Sequence, residues 1–149
     1  MIKTKYIYDY KDVPHLRNSF NQLANSVFGI DFEKWYSYNF WTDNYICHSF
    51  CHNDKIVSNV SVSELTAIIS GKKLSALQIG TVMTHPEYRN NGYASQLMQK
   101  VLQKYSQKVD LIYLFPEEHA RDFYLKYGFS ETCDSRFLWK KHHPIKQEI

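Results

Sequence analysis

The sequence predicts an α/β (α+β) fold in a single domain. Apolar residues recur at helical spacing in four segments, and apolar runs bounded by turn residues mark six strands around them. The chain has 149 residues, of which 44% are hydrophobic, so one sizeable core is expected and two are not. We therefore expect residues 1–149 to form one domain.

The first part of the chain predicts a strand and two helices. The strand covers Ile2–Tyr8, and Asp12 is a suitable N-cap for a helix that runs to Gly29. The apolar positions of this helix are Val13, Leu16, Phe20, Leu23, Ala24 and Val27. A second, shorter and strongly aromatic helix is expected from Asp31 to about Phe40.

The middle of the chain predicts an antiparallel meander of three strands. These strands cover Tyr45–Cys51, Ile56–Ile69 and Leu74–Thr84, and the turn signals HNDK and SGKK separate them. Such short connections join neighbouring antiparallel strands.

The last part predicts a helix, a strand, a helix and a final strand. A helix follows Gly92, and the apolar run Leu111–Phe115 is typical of a buried strand. The next helix should stop at Gly128, a residue suited to a left-handed C-terminal cap. A last strand is expected over Arg136–Lys140, followed by a flexible tail from about residue 141 to 149.

Charge and composition exclude several classes of function. The net charge of +3 is small and mixed in sign, so nucleic-acid binding is not expected. No apolar run approaches the roughly 18 residues that span a bilayer, and the N-terminus does not resemble a signal peptide. We expect a cytoplasmic protein without membrane contact, whose three cysteines are free thiols.

The segment NYICHSFCHND places Cys47, His48, Cys51 and His52 close together and raises the question of a zinc site. The same residues form the first arm of a predicted β-hairpin. In a strand, residues four apart are separated by about 13 Å and adjacent residues face opposite sides. Because zinc ligands lie only about 2.0 to 2.3 Å from the ion, we expect no metal site.

The segment PEYRNNGYASQLM predicts a binding site for an anion. A strand, a short turn, Gly92 and then a helix bring several unpaired backbone N–H groups to a helix N-terminus, where the helix dipole favours phosphate. Asn90 and Asn91 tolerate the unusual backbone dihedrals of such a turn. A simple glycine-containing turn capped by asparagine is the alternative.

Two motifs resemble those of the GNAT superfamily of N-acetyltransferases. Arg89, Gly92 and Ala94 match the core of its acyl-coenzyme A signature. The segment FYLKYGF, with Phe123 and Tyr124, matches a second family element, an aromatic pair followed by Gly-Phe at a helix end. The resemblance is firm from Leu74 to Phe129 and implies a single-domain, bacterial, acetyl-CoA-dependent N-acetyltransferase.

The resemblance also implies a fold and a cofactor site. The GNAT fold has a mixed, mostly antiparallel sheet of six to seven strands flanked by about four helices. Its fourth and fifth strands splay apart, and the pantetheine arm of acetyl-CoA lies between them. The expected cofactor-binding residues are Val82, Met83, Thr84, Arg89, Asn90, Asn91, Gly92, Tyr93, Ala94 and Phe123.

The implied reaction is direct attack of a primary amine on the acetyl thioester in a ternary complex. Tyr124 occupies the family's general-acid position and would protonate the departing thiolate. A backbone N–H near Val82, exposed by a bulge at Gly80, would stabilise the oxyanion. The family's Glu base is replaced by Gln78, which leaves water, Glu64, Glu117 or an already neutral amine as routes to deprotonation.

The acceptor is a small-molecule or peptide amine, which the sequence does not identify further. In this fold the first two helices and their loop wall the acceptor site, and aromatic faces beside carboxylates would attract a cation. The expected acceptor-site residues are Phe28, Trp35, Tyr36, Gln78 and Tyr113. A non-catalytic acyl-CoA-binding sensor or assembly module is the alternative function, and a homodimer is left open.

Overall fold

A computed structural model describes residues 3–132, and the chain divides into two compact units after Pro116. The first unit contains a five-stranded sheet and three helices. The predicted strand over Arg136–Lys140 and the predicted tail lie outside the described residues. The described part therefore has fewer strands than the six to seven expected.

The sheet has the order β1-β2-β3-β4-β5. Within the first four strands each neighbouring pair is antiparallel, whereas β5 runs parallel to β4. The strands are β1 (Lys5–Tyr8), β2 (Tyr45–His52), β3 (Lys55–Ile69), β4 (Lys72–Thr84) and β5 (Leu111–Leu114). The mixed α/β class and the antiparallel meander are confirmed.

The two meander turns form because their central residues take positive φ angles. Asn53 and Asp54 connect β2 to β3 with φ of 47° and 59°, and Ser70 and Gly71 connect β3 to β4 with φ of 49° and 77°. Two-residue loops with positive φ at both positions match the right-handed twist of the flanking strands. Both predicted turn signals are confirmed.

The helices α1 (Pro14–Phe28) and α2 (Glu33–Ser37) pack on one face of the sheet. The predicted Asp12 cap is wrong, because the helix begins after Val13 with Pro14 in its first turn. The core cluster on this face contains Tyr10, Phe20, Leu23, Ala24, Trp41, Tyr45, Cys47, Cys51, Ile56 and Met83. Within residues 3–132, α1 is the longest helix, and no helix has the length and apolarity to cross a membrane.

The helix α3 (Tyr93–Tyr105) packs on the other face. Cys47 belongs to the α1-side core, whereas its neighbour His48 contacts Tyr105 of α3. Since adjacent strand residues face opposite sides, the two helices lie on opposite faces of the sheet. The buried residues of α3 are Leu97, Met98, Val101 and Tyr105.

The second unit is described over residues 117–132. A short 3₁₀ turn, Glu118–Ala120, leads into α4 (Arg121–Leu125). This helix ends earlier than predicted, and Gly128 follows with φ of 85°. Its first residue, Arg121, pairs with Glu131 within the same unit.

Candidate active site

The strand β5 pairs with only part of β4. Pairing covers Ala76–Ile79 of β4 against Leu111–Leu114 of β5, whereas β4 continues to Thr84. Within residues 3–132 no strand pairs with β4 on this side beyond Ile79. Backbone N–H and C=O groups along an unpaired strand edge can bind an extended ligand in the way an added strand would.

A bulge interrupts β4 within this open stretch. Two residues, Thr81 and Val82, lie opposite Val60 alone, because Asn59 pairs with Met83 and Ser61 pairs with Gly80. Thr81 has φ of 48°, a left-handed conformation that costs a non-glycine residue about 1–2 kcal/mol.

The predicted bulge is therefore present, but its position is corrected. Gly80 does not have a positive φ, and the strained residue is the β-branched Thr81 that follows it. Bulges re-aim backbone groups and are frequent beside active sites. The oxyanion donor near Val82 stays a prediction.

The loop after β4 leads directly to the N-terminus of α3. The 3₁₀ turn Pro86–Tyr88 is followed by Asn90 and Gly92, whose φ angles are 62° and 76°. Gly92 is the N-cap of α3, and no side chain among residues 3–132 caps the helix there. Uncapped N–H groups at a helix N-terminus favour an anion, and the binding of one here stays a prediction.

Side chains of the loop hold its shape. Asn91 Nδ2 donates to the carbonyl oxygens of Tyr88, at 3.1 Å, and Arg89, at 3.0 Å. Arg89 Nε donates to the carbonyl oxygen of Thr84 at 3.2 Å, which brings its guanidinium to the open end of β4. His85 Nδ1 accepts a hydrogen bond from Glu87 N at 3.3 Å. The loop is therefore ordered by its own contacts.

Two of the predicted acceptor-site residues meet where β4 and β5 begin to separate. Gln78 pairs with Tyr113 across the two strands, and the Tyr113 hydroxyl donates to Gln78 Oε1 at 3.4 Å. Glu64 lies opposite Leu77, whereas Gln78 lies opposite Ser63. Strand alternation puts Glu64 and Gln78 on different faces, which makes Glu64 unsuitable as a replacement base on the face of Gln78.

The other predicted acceptor-site residues pack against the α1-side core. Phe28, Trp35 and Tyr36 are half-buried there, and Trp35 makes an edge contact with Tyr45. The face of the Tyr36 ring is already covered by Arg17, whose guanidinium carbon lies 3.7 Å from the ring centroid. These aromatic residues form part of the packing, and their binding of an acceptor stays a prediction.

Tyr124 is buried in the second unit. Its ring makes edge contacts with Phe123 and Phe129, whose centroids lie at 5.2 Å and 6.2 Å. Burial raises the pKa of the Tyr124 hydroxyl, and the carboxylate of Glu117 raises it further. Tyr124 therefore holds its proton at neutral pH, which is the state that a general acid needs.

Several buried polar side chains on β2 and β3 were missed by the motif analysis. Ser49, Asn59 and Ser61 are fully buried and hydrogen-bonded to one another. The sequence does contain one signal for them. In IVSNVSV, Asn59 and Ser61 are two residues apart and so share one face of a predicted strand that is rich in Ile and Val. The potential zinc ligands of β2 have other partners, and the described residues contain no cluster of three or more groups suited to a metal.

The model of the Acetyltransferase (GNAT) domain matches residues 14–132. No curated relative matches the chain significantly. The matched region includes the open edge of β4, the loop before α3 and the α4 helix, and so covers both motifs found in the sequence.

Solved structures with the same fold cover nearly the whole chain. A predicted acetyltransferase with acetyl-CoA from Clostridium acetobutylicum has a TM-score of 0.72 and 20% identity, covering 94% of this chain and 100% of that one. An aminoglycoside acetyltransferase from an uncultured soil sample, meta-AAC0020, has a TM-score of 0.69 and 16% identity, covering 93% and 97%. A transcriptional regulator from Bacillus halodurans has a TM-score of 0.70 and 18% identity, covering 93% and 100%.

At these identities the structures show the fold, whereas the domain model shows the family. It matches most of the chain and includes the strand, loop and helix described above. The chain belongs to the GNAT acetyltransferase family.

Proposed function

We propose that the protein transfers the acetyl group of acetyl-CoA to a primary amine by direct attack in a ternary complex. The observation that carries this proposal is the open edge of β4 beside the uncapped N-terminus of α3. An extended pantetheine arm suits the strand edge, and a pyrophosphate suits the helix N-terminus. The comparison structure that contains acetyl-CoA supports the choice of donor.

The cofactor would be held mainly by backbone groups. Val82, Met83 and Thr84 offer the strand edge to the pantetheine, and the residues from Asn90 to Ala94 offer amides to the pyrophosphate. Arg89 adds positive charge beside the loop. Backbone N–H groups that are already fixed in place need little reorganisation when an anion binds. They therefore favour binding of the pyrophosphate without the help of a metal ion.

The chemistry requires three proton or charge changes. The amine loses a proton to become nucleophilic, since an alkylammonium has a pKa of about 10.4. Its nitrogen then attacks the carbonyl carbon, whose oxygen becomes an oxyanion. The carbonyl re-forms as the carbon–sulfur bond breaks, and Tyr124 gives its proton to the leaving sulfur. The amide nitrogen then loses its extra proton, which restores the Tyr124 hydroxyl through water. With Gln78 at the family's Glu position, we propose that water takes the proton from the amine.

We also propose that the two units belong to one acetyltransferase domain, because the family match runs through both of them. The protein would act in the cytoplasm, on a small-molecule or peptide amine. The aminoglycoside acetyltransferase with the same fold makes polyamines and aminoglycosides the first acceptors to test.

Replacing Tyr124 with Phe tests the catalytic part of the proposal. The substitution removes only the hydroxyl, so release of free thiol from acetyl-CoA in the presence of an acceptor should slow at least about tenfold. The dissociation constant for acetyl-CoA should change little. Tyr127→Phe, which removes a hydroxyl from the same segment, is the matched control and should keep wild-type turnover. Unchanged turnover in Tyr124→Phe would reject its role.

A non-catalytic acyl-CoA sensor or assembly module is the second candidate. Gln78 favours it, because a neutral amide does not act as a base, and a transcriptional regulator shares the fold. Calorimetric binding of acetyl-CoA without thiol release from any amine would select this function.

A further inference from the structure

We propose that Asn59 is a positioning residue for the acetyl-transfer reaction: it holds the β4 bulge in the shape that presents the Val82 backbone to the thioester. This inference rests on the proposed function, but its structural half can be tested without activity. Asn59 lies on β3 and is fully buried. It contacts the bulge through one hydrogen bond, from Nδ2 to the carbonyl oxygen of Thr81 at 2.8 Å.

The bulge needs such support because Thr81 is in an unfavourable conformation. A β-branched residue with φ of 48° is rare unless the surrounding structure enforces it. Two groups bond directly to this residue. Asn59 binds its carbonyl oxygen, and the Tyr45 hydroxyl lies 2.8 Å from its Oγ1.

The amide oxygen and the amide nitrogen of Asn59 both form hydrogen bonds, and the identity of their partners fixes which way the amide is turned. Oδ1 accepts from Ser49 Oγ at 2.8 Å, while Nδ2 donates both to Thr81 O and to Ser61 Oγ, each at 2.8 Å. A flipped amide would place its oxygen against the Thr81 carbonyl oxygen, which cannot donate. The donor therefore has to face the bulge.

The same hydrogen-bond network extends away from β4 and ends at Tyr10 on one side and at Cys47 on the other. Because Ser49 gives its proton to Asn59, the Tyr10 hydroxyl must be the donor in its 2.7 Å bond to Ser49 Oγ. Ser61 Oγ donates to Cys47 Sγ at 3.5 Å. No side-chain polar atom buried within the described residues lacks a partner. A fully satisfied buried network of this kind imposes one arrangement on the strands that it joins.

The bulge lies within the stretch of β4 that β5 leaves unpaired. Loss of the Asn59 bond would let Thr81 relax toward an ordinary strand conformation, and this relaxation would move the N–H of Val82. Asn59 lies on β3 and acts through Thr81, so it is a positioning residue rather than a catalytic one.

The test compares Asn59→Leu, which keeps the side-chain size, with Ser61→Ala. The control removes another bond of Asn59 but leaves the bond to Thr81. We expect Asn59→Leu to lower kcat/KM for acetyl-CoA at least tenfold, and Ser61→Ala to lower it less than threefold, at a temperature where both remain folded. In backbone NMR, Thr81 should leave the left-handed region only in Asn59→Leu.

A rescue experiment separates positioning from simple stability. Thr81→Gly relieves the strain, because glycine adopts positive φ without a steric penalty. In the Asn59→Leu background it should restore kcat/KM at least fivefold and return residue 81 to positive φ, even though the buried network stays broken. If Asn59→Leu does not fold, Asn59→Ala replaces it, because it removes the same bond to Thr81 without adding an apolar branch, and it should weaken the bulge and the activity in the same direction.

The outcomes are distinct. The inference is overturned if Thr81 keeps its left-handed φ without the Asn59 bond, if Ser61→Ala loses as much activity as Asn59→Leu, or if Thr81→Gly fails to rescue. If the wild-type protein releases no thiol with any amine, the proposed function fails on its own. NMR of residue 81 and calorimetric affinity for acetyl-CoA then decide whether Asn59 shapes the bulge and the cofactor edge.

Discussion

At the residue scale, His48 shows that a chemically reactive side chain can be a packing element. It is fully buried, and its Nδ1 and Nε2 atoms lie 2.8 Å and 3.1 Å from the hydroxyls of Tyr6 and Tyr105. Burial, with a smaller contribution from the nearby Lys104 ammonium, lowers the pKa of His48 to about 4. The imidazole is therefore neutral at physiological pH.

This shift predicts a loss of stability in mild acid. The unfolded chain binds a proton to His48 near pH 6.5 and the folded chain only near pH 4, so the free energy of unfolding falls as pH drops through this window. Its contribution to the decrease between pH 7 and pH 5 is about 2 kcal/mol. Urea unfolding at both pH values should show a smaller decrease in His48→Gln. His15→Gln, on the exposed side of α1, is the control, and an equal decrease in all three proteins would contradict the assignment.

Motif residues are easier to recognise in a sequence than buried polar ones. Arg89, Gly92 and Tyr124 stand in local patterns with a recognisable spacing, so they could be found without a structure. Asn59 and Thr81 could not, because their pairing depends on the register between β3 and β4 and on a bulge. Neither the register nor the bulge can be recognised from neighbouring residues in the sequence. The one indication is that polar residues recur on one face of β3.

At the element scale, the loop before α3 combines a left-handed glycine with an uncapped helix end. A Cβ added at Gly92 would have only Gln96 Nε2 within 4 Å, at 3.9 Å. Glycine is therefore favoured here by its φ of 76° and not by crowding from the described residues, and the open space suits the proposed cofactor.

Gly92→Ala and Gly71→Ala form a matched pair that tests this account. Both glycines have positive φ, and Gly71 lies in the β3–β4 turn with nothing within 4 Å. Each substitution should lower the free energy of unfolding by about 1–2 kcal/mol because alanine disfavours this φ. Only Gly92→Ala should weaken acetyl-CoA binding in calorimetry, by at least about tenfold. Equal affinities in the two variants would show that the loop does not hold the pyrophosphate.

The ends of helices and strands were predicted best where the sequence contains residues that favour turns. The β2–β3 and β3–β4 turns lie where the residue types require them, because their Asn, Asp, Ser and Gly residues accept positive φ. The second helix was predicted to reach Phe40 but ends at Ser37. Its aromatic residues recur at helical spacing because they pack against the core, which continues past the end of the helix to Trp41.

At the scale of the whole molecule, the order of elements identified the fold. A strand, two helices, a three-stranded meander, a helix, a strand and a helix all occur in the predicted order. The separation of β4 from β5 required the family resemblance, because nothing in the residues of LIYLF states how far the strand pairs. The acceptor-site residues stay the least determined part, since those on α1 and α2 also serve the core.

The central claim is that the protein acetylates an amine with acetyl-CoA. The most direct measurement is mass spectrometry of a panel of polyamines, aminoglycosides and lysine peptides after incubation with acetyl-CoA, with free thiol followed in parallel. We expect one class of amine to gain a single acetyl group in step with thiol release. Thiol release without any acetylated amine, or no release despite tight binding of acetyl-CoA, would contradict the claim.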